Sequence, residues 1–174
     1  RSAAVSEARL RSMTYEDLLM VLSWRNHPEV RHFMYTTHEI SFDEHRSWFK
    51  RVEHDAKTYL KIYESGGEAF GFINIGLSRS LQIADWGFYL APHAPRGSGN
   101  ILGNKVLKFA FGELKLHKLC GQVLGFNERS IAFHKRLGFL EEGRLRDQHF
   151  DGVNYHDVVC FGLLANEWQL TEAN

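Results

Sequence analysis

The chain has 174 residues, 44% hydrophobic and 24% charged, which is enough for one domain with a sizeable core. Its 21 Lys+Arg balance 21 Asp+Glu, which argues against the broad basic footprint of a protein that binds nucleic acid, and its ten histidines are scattered without metal-ligand spacing, so no metal is assigned. Two cysteines, Cys120 and Cys160, are too few for a disulfide framework, and no apolar run has the length of a bilayer span, so a reducing, cytoplasmic setting without membrane attachment is expected.

Residues 1–8 carry no periodicity and are expected to lie outside the fold. "ARLRSM" follows as a short strand. In "TYEDLLMVLSWRN", Thr14 offers a cap, acidic residues fill the first turn, and Leu18, Leu19, Val21, Leu22 and Trp24 recur at helical spacing. "HPEVRHFMY" reads as a break with a short turn or helix. "SFDEHRSWFKRVEHD" opens on Ser41 with Glu44 three residues on, a capping box, and sets Phe42, His45, Trp48, Phe49 and Val52 on one stripe. The period then changes to two. "TYLKIYES", "EAFGFINIGLS" and "QIADWGFYLA" predict an antiparallel meander of three strands.

Arg96-Gly97-Ser98-Gly99 comes next, ahead of a helix from about Asn100 to Leu116. Such glycines turn the backbone cheaply. They also let main-chain N–H groups approach an anion at the positive end of a helix, so a phosphate site is a second reading. "HKLCGQVLG" is a strand, and "NERSIAFHKRLGF" a helix capped by Asn127 and stopped at Gly138. Asp151-Gly152 joins two last strands in a hairpin. The order β–α–α–β–β–β–α–β–α–β–β predicts a single α/β (α+β) domain over 1–174 with a mixed sheet.

This order resembles the GNAT superfamily of acyl-CoA N-acetyltransferases, whose fold is a mostly antiparallel sheet of about seven strands with about four helices. Arg96-Gly97-Ser98-Gly99-Asn100-Ile101 is similar to the family's pyrophosphate turn, with Ile101 in the place of a small residue. "NERSIAFHKRLGF" resembles its Asn-x-x-Ala-x-x-x-Tyr-x-Lys-x-Gly-Phe helix, with Ser130 in the Ala place and His134 in the Tyr place. The resemblance implies acetyl-CoA as co-substrate, gripped by Leu90, Arg96, Gly97, Ser98, Gly99, Asn100, Ile101, Asn127, Phe133 and Arg136. It also implies an N–H near Leu90 that meets the thioester oxygen, at a strand distorted around Gly87. Asn127 would stand beside the pantetheine arm, and His134 would protonate the leaving thiolate. A helix-surface histidine, with water as the proton donor, is the alternative for His134.

A narrower resemblance covers "LSWRNHPEVRHFMYTTHEISFDEHRSWFKR" and "GSGNIL". Both look like the sugar-nucleotide N-acetyltransferases that make pseudaminic acid, a sugar some bacteria attach to flagellin. It implies transfer to the 4-amino group of a UDP-linked 4-amino-4,6-dideoxy-N-acetylhexosamine. Arg25 would then bind the diphosphate, His45 and Trp48 the uridine side, and Met34, Tyr35 and Tyr89 the sugar. For Arg25 an ion pair with Glu29 or Asp17 is the competing reading. Asp85, His45 or a water could accept the amine proton. The tail "GFLEEGRLRDQHFDGVNYHDVVCFGLLANEW" is also similar to acetyltransferases of ribosomal-protein N-termini, a second function. A non-catalytic acyl-CoA-binding module is a third. A homodimer is compatible with all three.

Overall fold

The computed structural model describes residues 7–173. Most of segment 1–8 lies outside that range, but Ala8 already pairs with Ser65, so the fold starts earlier than its composition suggested.

Seven strands form one sheet: β1 (Ala8–Ser12), β2 (Thr58–Ser65), β3 (Glu68–Leu77), β4 (Ile83–Leu90), β5 (Lys118–Leu124), β6 (Leu140–Phe150) and β7 (Tyr155–Leu164). Their spatial order is β1-β2-β3-β4-β5-β7-β6, and every pairing is antiparallel except β4 with β5. The described residues form six α-helices: α1 (Leu18–Asn26), α2 (Pro28–Arg31), α3 (Phe42–Val52), α4 (Ser98–Leu107), α5 (Glu128–Arg136) and α6 (Ala165–Ala173). The mixed, mostly antiparallel architecture is the expected one. The helix count exceeds about four because α2 is a single turn and α6 carries no start signal that pattern reading detects. No helix among the described residues is long and apolar enough to cross a membrane.

Local chemistry explains the helix starts, with two departures. A 3-10 turn, Tyr15–Asp17, precedes α1. There the Asp17 carboxylate accepts the Thr14 N–H at 2.8 Å and two hydrogen bonds from Arg11, also at 2.8 Å. Ser41 Oγ accepts the Glu44 N–H at 3.1 Å, but Glu44 turns its own carboxylate to His38 instead of closing the box. The helix expected to run to Leu116 stops at Leu107, and a π-helical stretch, Lys108–Glu113, follows with Phe109, Ala110 and Phe111 all buried. A reading that assumed 3.6 residues per turn throughout could not find that change of pitch.

Both faces of the sheet carry a core. On one, Ile73, Ile75, Trp86, Leu102, Val106, Leu119, Phe133 and Phe161 pack under α4 and α5. On the other, Leu18, Val21, Trp24, Phe49, Ile62 and Phe72 pack under α1 and α3.

The feature that positions the site lies in the middle of the sheet. The parallel register of β4 with β5 covers only Ile83↔Lys118, Ala84↔Leu119 and Asp85↔Cys120, and beyond Asp85 the two strands part. On its other edge β4 stays paired with β3 from Leu77↔Ala84 to Gly71↔Leu90 without a shift. The distortion expected at Gly87 is therefore absent, and the opening comes from divergence of β4 and β5. The Ala91 N–H donates to Phe70 O at 2.7 Å. Because successive N–H groups alternate sides along a strand, those of Phe88 and Leu90 face the gap.

Candidate active site

The gap opens into a cavity of about 460 Å³ that passes from one face of the sheet to the other. Phe72 and Asn74 of β3, Asp85 to Tyr89 of β4 and Gln122 to Leu124 of β5 line it, together with Phe33 to Tyr35 from the loop after α2 and Asn127, Ser130 and His134 of α5.

On the α5 side, the turn before α4 is built by its backbone. Gly97 is the N-cap and has φ 90°, a left-handed conformation that glycine adopts without strain. Ser98 is buried. Its hydroxyl donates to Pro95 O at 2.6 Å and its N–H to the same oxygen at 3.1 Å, so its side chain locks the turn rather than facing outward. The first helical bond runs from the Ile101 N–H to Gly97 O at 3.3 Å. The N–H groups of Gly99 and Asn100 precede it and are left for an anion, at the positive end of the helix dipole. A Cβ on Gly99 would stand 3.7 Å from both Leu90 and Phe133, which places the turn directly against the end of β4 and against α5. The Arg136 guanidinium lies 5.9 Å from the Phe133 ring centre. Arg96, Asn100, Ile101 and Arg136 are exposed. Of the ten residues expected to grip the cofactor, Gly99 ties the α4 turn to Leu90 and Phe133, Arg136 lies over Phe133, and Asn127 reaches the cavity. Unspent N–H groups at one end and the open edge of β4 at the other fit a ligand with a pyrophosphate and a thioester.

Asn127 Oδ1 accepts the Ser130 N–H at 3.2 Å, so Asn127 caps α5 and lines the cavity at once. His134 is 3% exposed and stacks on Phe161, with ring centres 5.1 Å apart, among Trp86, Phe88, Phe133 and Phe139. It is no surface histidine. Burial pushes its imidazole below the ordinary value, against a smaller opposing effect of the Ser130 carbonyl. Nδ1 lies 2.8 Å from that carbonyl.

The acceptor residues divide into two sets. Met34, Tyr35 and Tyr89 line the cavity, and Tyr35 Oη donates to Gln122 Oε1 at 3.1 Å. Burial raises the Tyr89 phenol far above its usual range, opposed by the charge of Arg25. Arg25, His45 and Trp48 stand behind that lining. Arg25 is 7% exposed; its Nη2 donates to Thr36 O at 2.5 Å and its Nη1 has no partner among the described residues. The ion pair weighed for Arg25 is not formed, since Asp17 is held by Arg11. His45 is buried, stacks on Trp48 with centres 5.2 Å apart, and leaves Nε2 without a partner among the described residues. Trp48 meets the Phe72 ring edge-on.

The neighbours of Arg25 in the "WRNHP" stretch serve the backbone. Trp24 is core, Asn26 accepts the Ile40 N–H at 2.7 Å and donates to Ile40 O at 2.8 Å, His27 Nδ1 accepts the Glu29 N–H, and Pro28 opens α2. Together with Arg25 these residues brace the loop that brings Met34 and Tyr35 to the cavity.

Sequence reasoning missed Trp86, Gln122 and Asn74. Strand alternation puts Asp85, Gly87 and Tyr89 on one face and Trp86 and Phe88 on the other, but nothing in it shows that β5 departs there.

A family model for the acetyltransferase (GNAT) domain matches residues 8–140. The chain belongs to the GNAT acetyltransferase family. An N-acetyltransferase of a Bacillus subtilis prophage, YokL, is 33% identical over 129 residues, 72% of this chain and 72% of that protein. Acetyltransferase PseH of Campylobacter jejuni is 28% identical over 127 residues, 71% of this chain and 77% of its own. In fold, this GNAT protein matches a spermidine N-acetyltransferase of Vibrio cholerae, solved with CoA and spermine, with a TM-score of 0.86 at 24% identity, over 93% of this chain and 98% of that one. It is an acetyl-CoA-dependent N-acetyltransferase, and acetyl-CoA is its co-substrate.

Proposed function

We propose that the acceptor is the 4-amino group of a UDP-linked 4-amino-4,6-dideoxy-N-acetylhexosamine, as in pseudaminic acid synthesis in the cytoplasm. One observation carries this reading: a buried guanidinium, Arg25, stands behind the acceptor wall with, among the described residues, no carboxylate bonded to it and Nη1 bare. An uncompensated buried charge costs several kcal/mol, at the order-of-magnitude level, and an anion brought within its reach recovers part of that. A diphosphate suits the guanidinium fork, and the bare His45 Nε2 adds a second group on the same side. Met34, Tyr35 and Tyr89 would hold the sugar. Spermidine, a polycation, would meet Arg25 with only Asp85 among the cavity-lining residues to offset it. The 28% identity to PseH supports the same reading.

The mechanism follows from the gap. Acetyl-CoA supplies an activated acetyl group. Gly99 and Asn100 N–H groups would bind its pyrophosphate, with Arg96 and Arg136 as outlying cations. Leu90 and Phe133 would guide the arm, and Asn127 would hold it at the mouth of α5. The N–H groups of Phe88 and Leu90 would stabilise charge that develops on the thioester oxygen. The amine would enter from the Tyr89 side, and positioning across the open sheet supplies much of the rate.

Turnover with acetyl-CoA and three acceptors tests this: the UDP-amino sugar, spermidine and a ribosomal N-terminal peptide. In thermal denaturation, acetyl-CoA at a hundred times its Kd should add about 2.7 kcal/mol, and UDP should add a second shift. Acetylation of spermidine or the peptide, with no response to UDP, overturns the acceptor reading. Binding of acetyl-CoA without turnover of any amine points to a non-catalytic module.

A further inference from the structure

A second cavity, of about 490 Å³, lies beside the first, and Met34 lines both. Arg31 and His32 at the end of α2 form one side of it, Phe126 from the turn before α5 another, and His149 and Asp151 from the β6–β7 hairpin a third. No step of the acetyl transfer uses it.

Its rings form a row that leads back to the first cavity. Phe126 is held by Phe33, with ring centres 5.8 Å apart, and by His156, edge-on at 4.7 Å. His156 stands opposite His149 across the hairpin, with centres 6.4 Å apart and the rings within 29° of parallel. His149 in turn meets Tyr35 edge-on at 5.3 Å, and Tyr35 lines the first cavity. Rings braced edge-on are fixed in place yet keep a face for another flat group.

The charges around the cavity are already compensated. Asp151 Oδ1 accepts the Asn154 N–H at 2.7 Å and the Val153 N–H at 2.8 Å, and Oδ2 faces His156 Nε2 at 2.7 Å. A polycation therefore meets a carboxylate whose bonds are spent. Arg31 differs. Its one ion pair, at 3.3 Å, is with Glu39, whose side chain is 70% exposed, and such a contact is worth little in water. The guanidinium can turn to a better anion. A neutral flat ring followed by a phosphate suits this lining.

The α3 side offers no such place. Trp48, expected beside the uridine, has one face stacked on His45 at 5.2 Å, meets the Phe72 ring edge-on at 6.0 Å and packs on the core under α1 and α3. It serves packing.

We propose that the second cavity is the nucleoside end of the acceptor site, with uracil against Phe126 and His149 and the diphosphate crossing the Met34–Thr37 segment between Arg25 and Arg31. This rests on the UDP-sugar reading and deepens it. The first cavity takes the thioester from one face of the sheet and the sugar from the other, so the nucleoside lies beyond the sugar. Met34 is the wall the two cavities share. Arg25 is bonded to Thr36 O, and the next residue, Thr37, lines the second cavity. A phosphate on that segment thus has one guanidinium beneath it and another at its far side. The hydroxyl of Thr37 and the imidazole of His149 can bond the edge of the base.

NMR of the wild-type enzyme with UDP tests the placement. Nuclear Overhauser contacts from uracil H5 and H6 to the rings of Phe126 and His149 support it. Contacts to any other surface, the Trp48 indole above all, overturn it and leave the UDP-sugar reading standing. Calorimetry supplies a second measure. Phe126→Ala and His149→Ala should each weaken UDP binding about 5-fold or more, the worth of a stacked base. His149 lies on the outermost strand, so its variant keeps the fold should Phe126→Ala loosen α5, and its affinity for acetyl-CoA should not change. Undiminished UDP binding in the folded variants overturns the proposal. UDP bound with the expected contacts, but no acetylation of the amino sugar, overturns the acceptor reading and keeps the cavity as a nucleotide site. No binding of UDP at all overturns both.

Discussion

The cofactor wall, from β4 through the α4 turn to α5, and the acceptor wall, from α1 to the Met34–Tyr35 loop, use their sequence motifs in opposite ways. In the first, the turn from Arg96 to Ile101 itself forms the wall: Gly97 turns left-handed, Ser98 bonds inward to Pro95, and the Gly99 and Asn100 amides are left for a ligand. In the second, the conspicuous Trp24 to Pro28 stretch is buried or bonded to backbone, and the residues that reach the cavity come from the loop it braces. The difference follows from what the ligand touches. When backbone N–H groups are the binding groups, the residues that shape the backbone are the site, and they must be contiguous. When side chains bind, Arg, His and Trp are also the residues that brace loops and fill cores, so their presence in a motif does not separate the two uses.

Arg25→Met is the sharpest way to break this comparison, and has the largest expected effect. If the guanidinium serves only the Thr36 carbonyl, the variant loses stability and leaves the KM of the UDP-sugar alone. If it also meets the diphosphate, that KM rises about 10- to 100-fold, the worth of a charge-assisted contact, with the KM of acetyl-CoA unchanged. Gly97→Val probes the other wall. A β-branched residue at φ 90° costs about 1–2 kcal/mol, so acetyl-CoA should bind about 5- to 30-fold more weakly in calorimetry while UDP binding holds.

The base of the acceptor wall is expected to be acid-sensitive. Burial would raise Asp17, but hydrogen bonds from Arg11 prevail and lower it; Glu64 is lowered by Arg11 first, against burial. A depressed carboxylate contributes stability above its unfolded value, near 4, which is lost as pH falls through the folded value below that. Urea denaturation at pH 7 and pH 3 should show the loss, and Arg11→Met should flatten it without altering acetyl-CoA affinity. Tyr35→Phe is the smallest change: removing the bond to Gln122 should raise the acceptor KM no more than several-fold, because the ring still lines the cavity.

Much of the fold was legible. Alternation located the meander, Asp151-Gly152 the last hairpin, and Thr14, Ser41 and Asn127 the helix starts. The π-helical stretch after Leu107 and the α6 helix were not, because the first breaks the assumed period and the second has an almost uniform mix of residues. The site was legible along the glycine turn and at His134. The second cavity was not, since Phe126 and His149 have ordinary explanations until the loop after α2 and the β6–β7 hairpin are found to meet around them.

By itself, then, the sequence determined the order of elements, the two glycine-turn conformations at Gly97 and Gly138, and the family of chemistry, because each is written in neighbouring residues and local dihedral preferences. Only the tertiary structure decided where β4 leaves β5, which atoms of Arg25 and His45 stay unpaired among the described residues, and which rings line the second cavity. Those depend on groups far apart in the chain that meet through packing, and no local pattern holds that information.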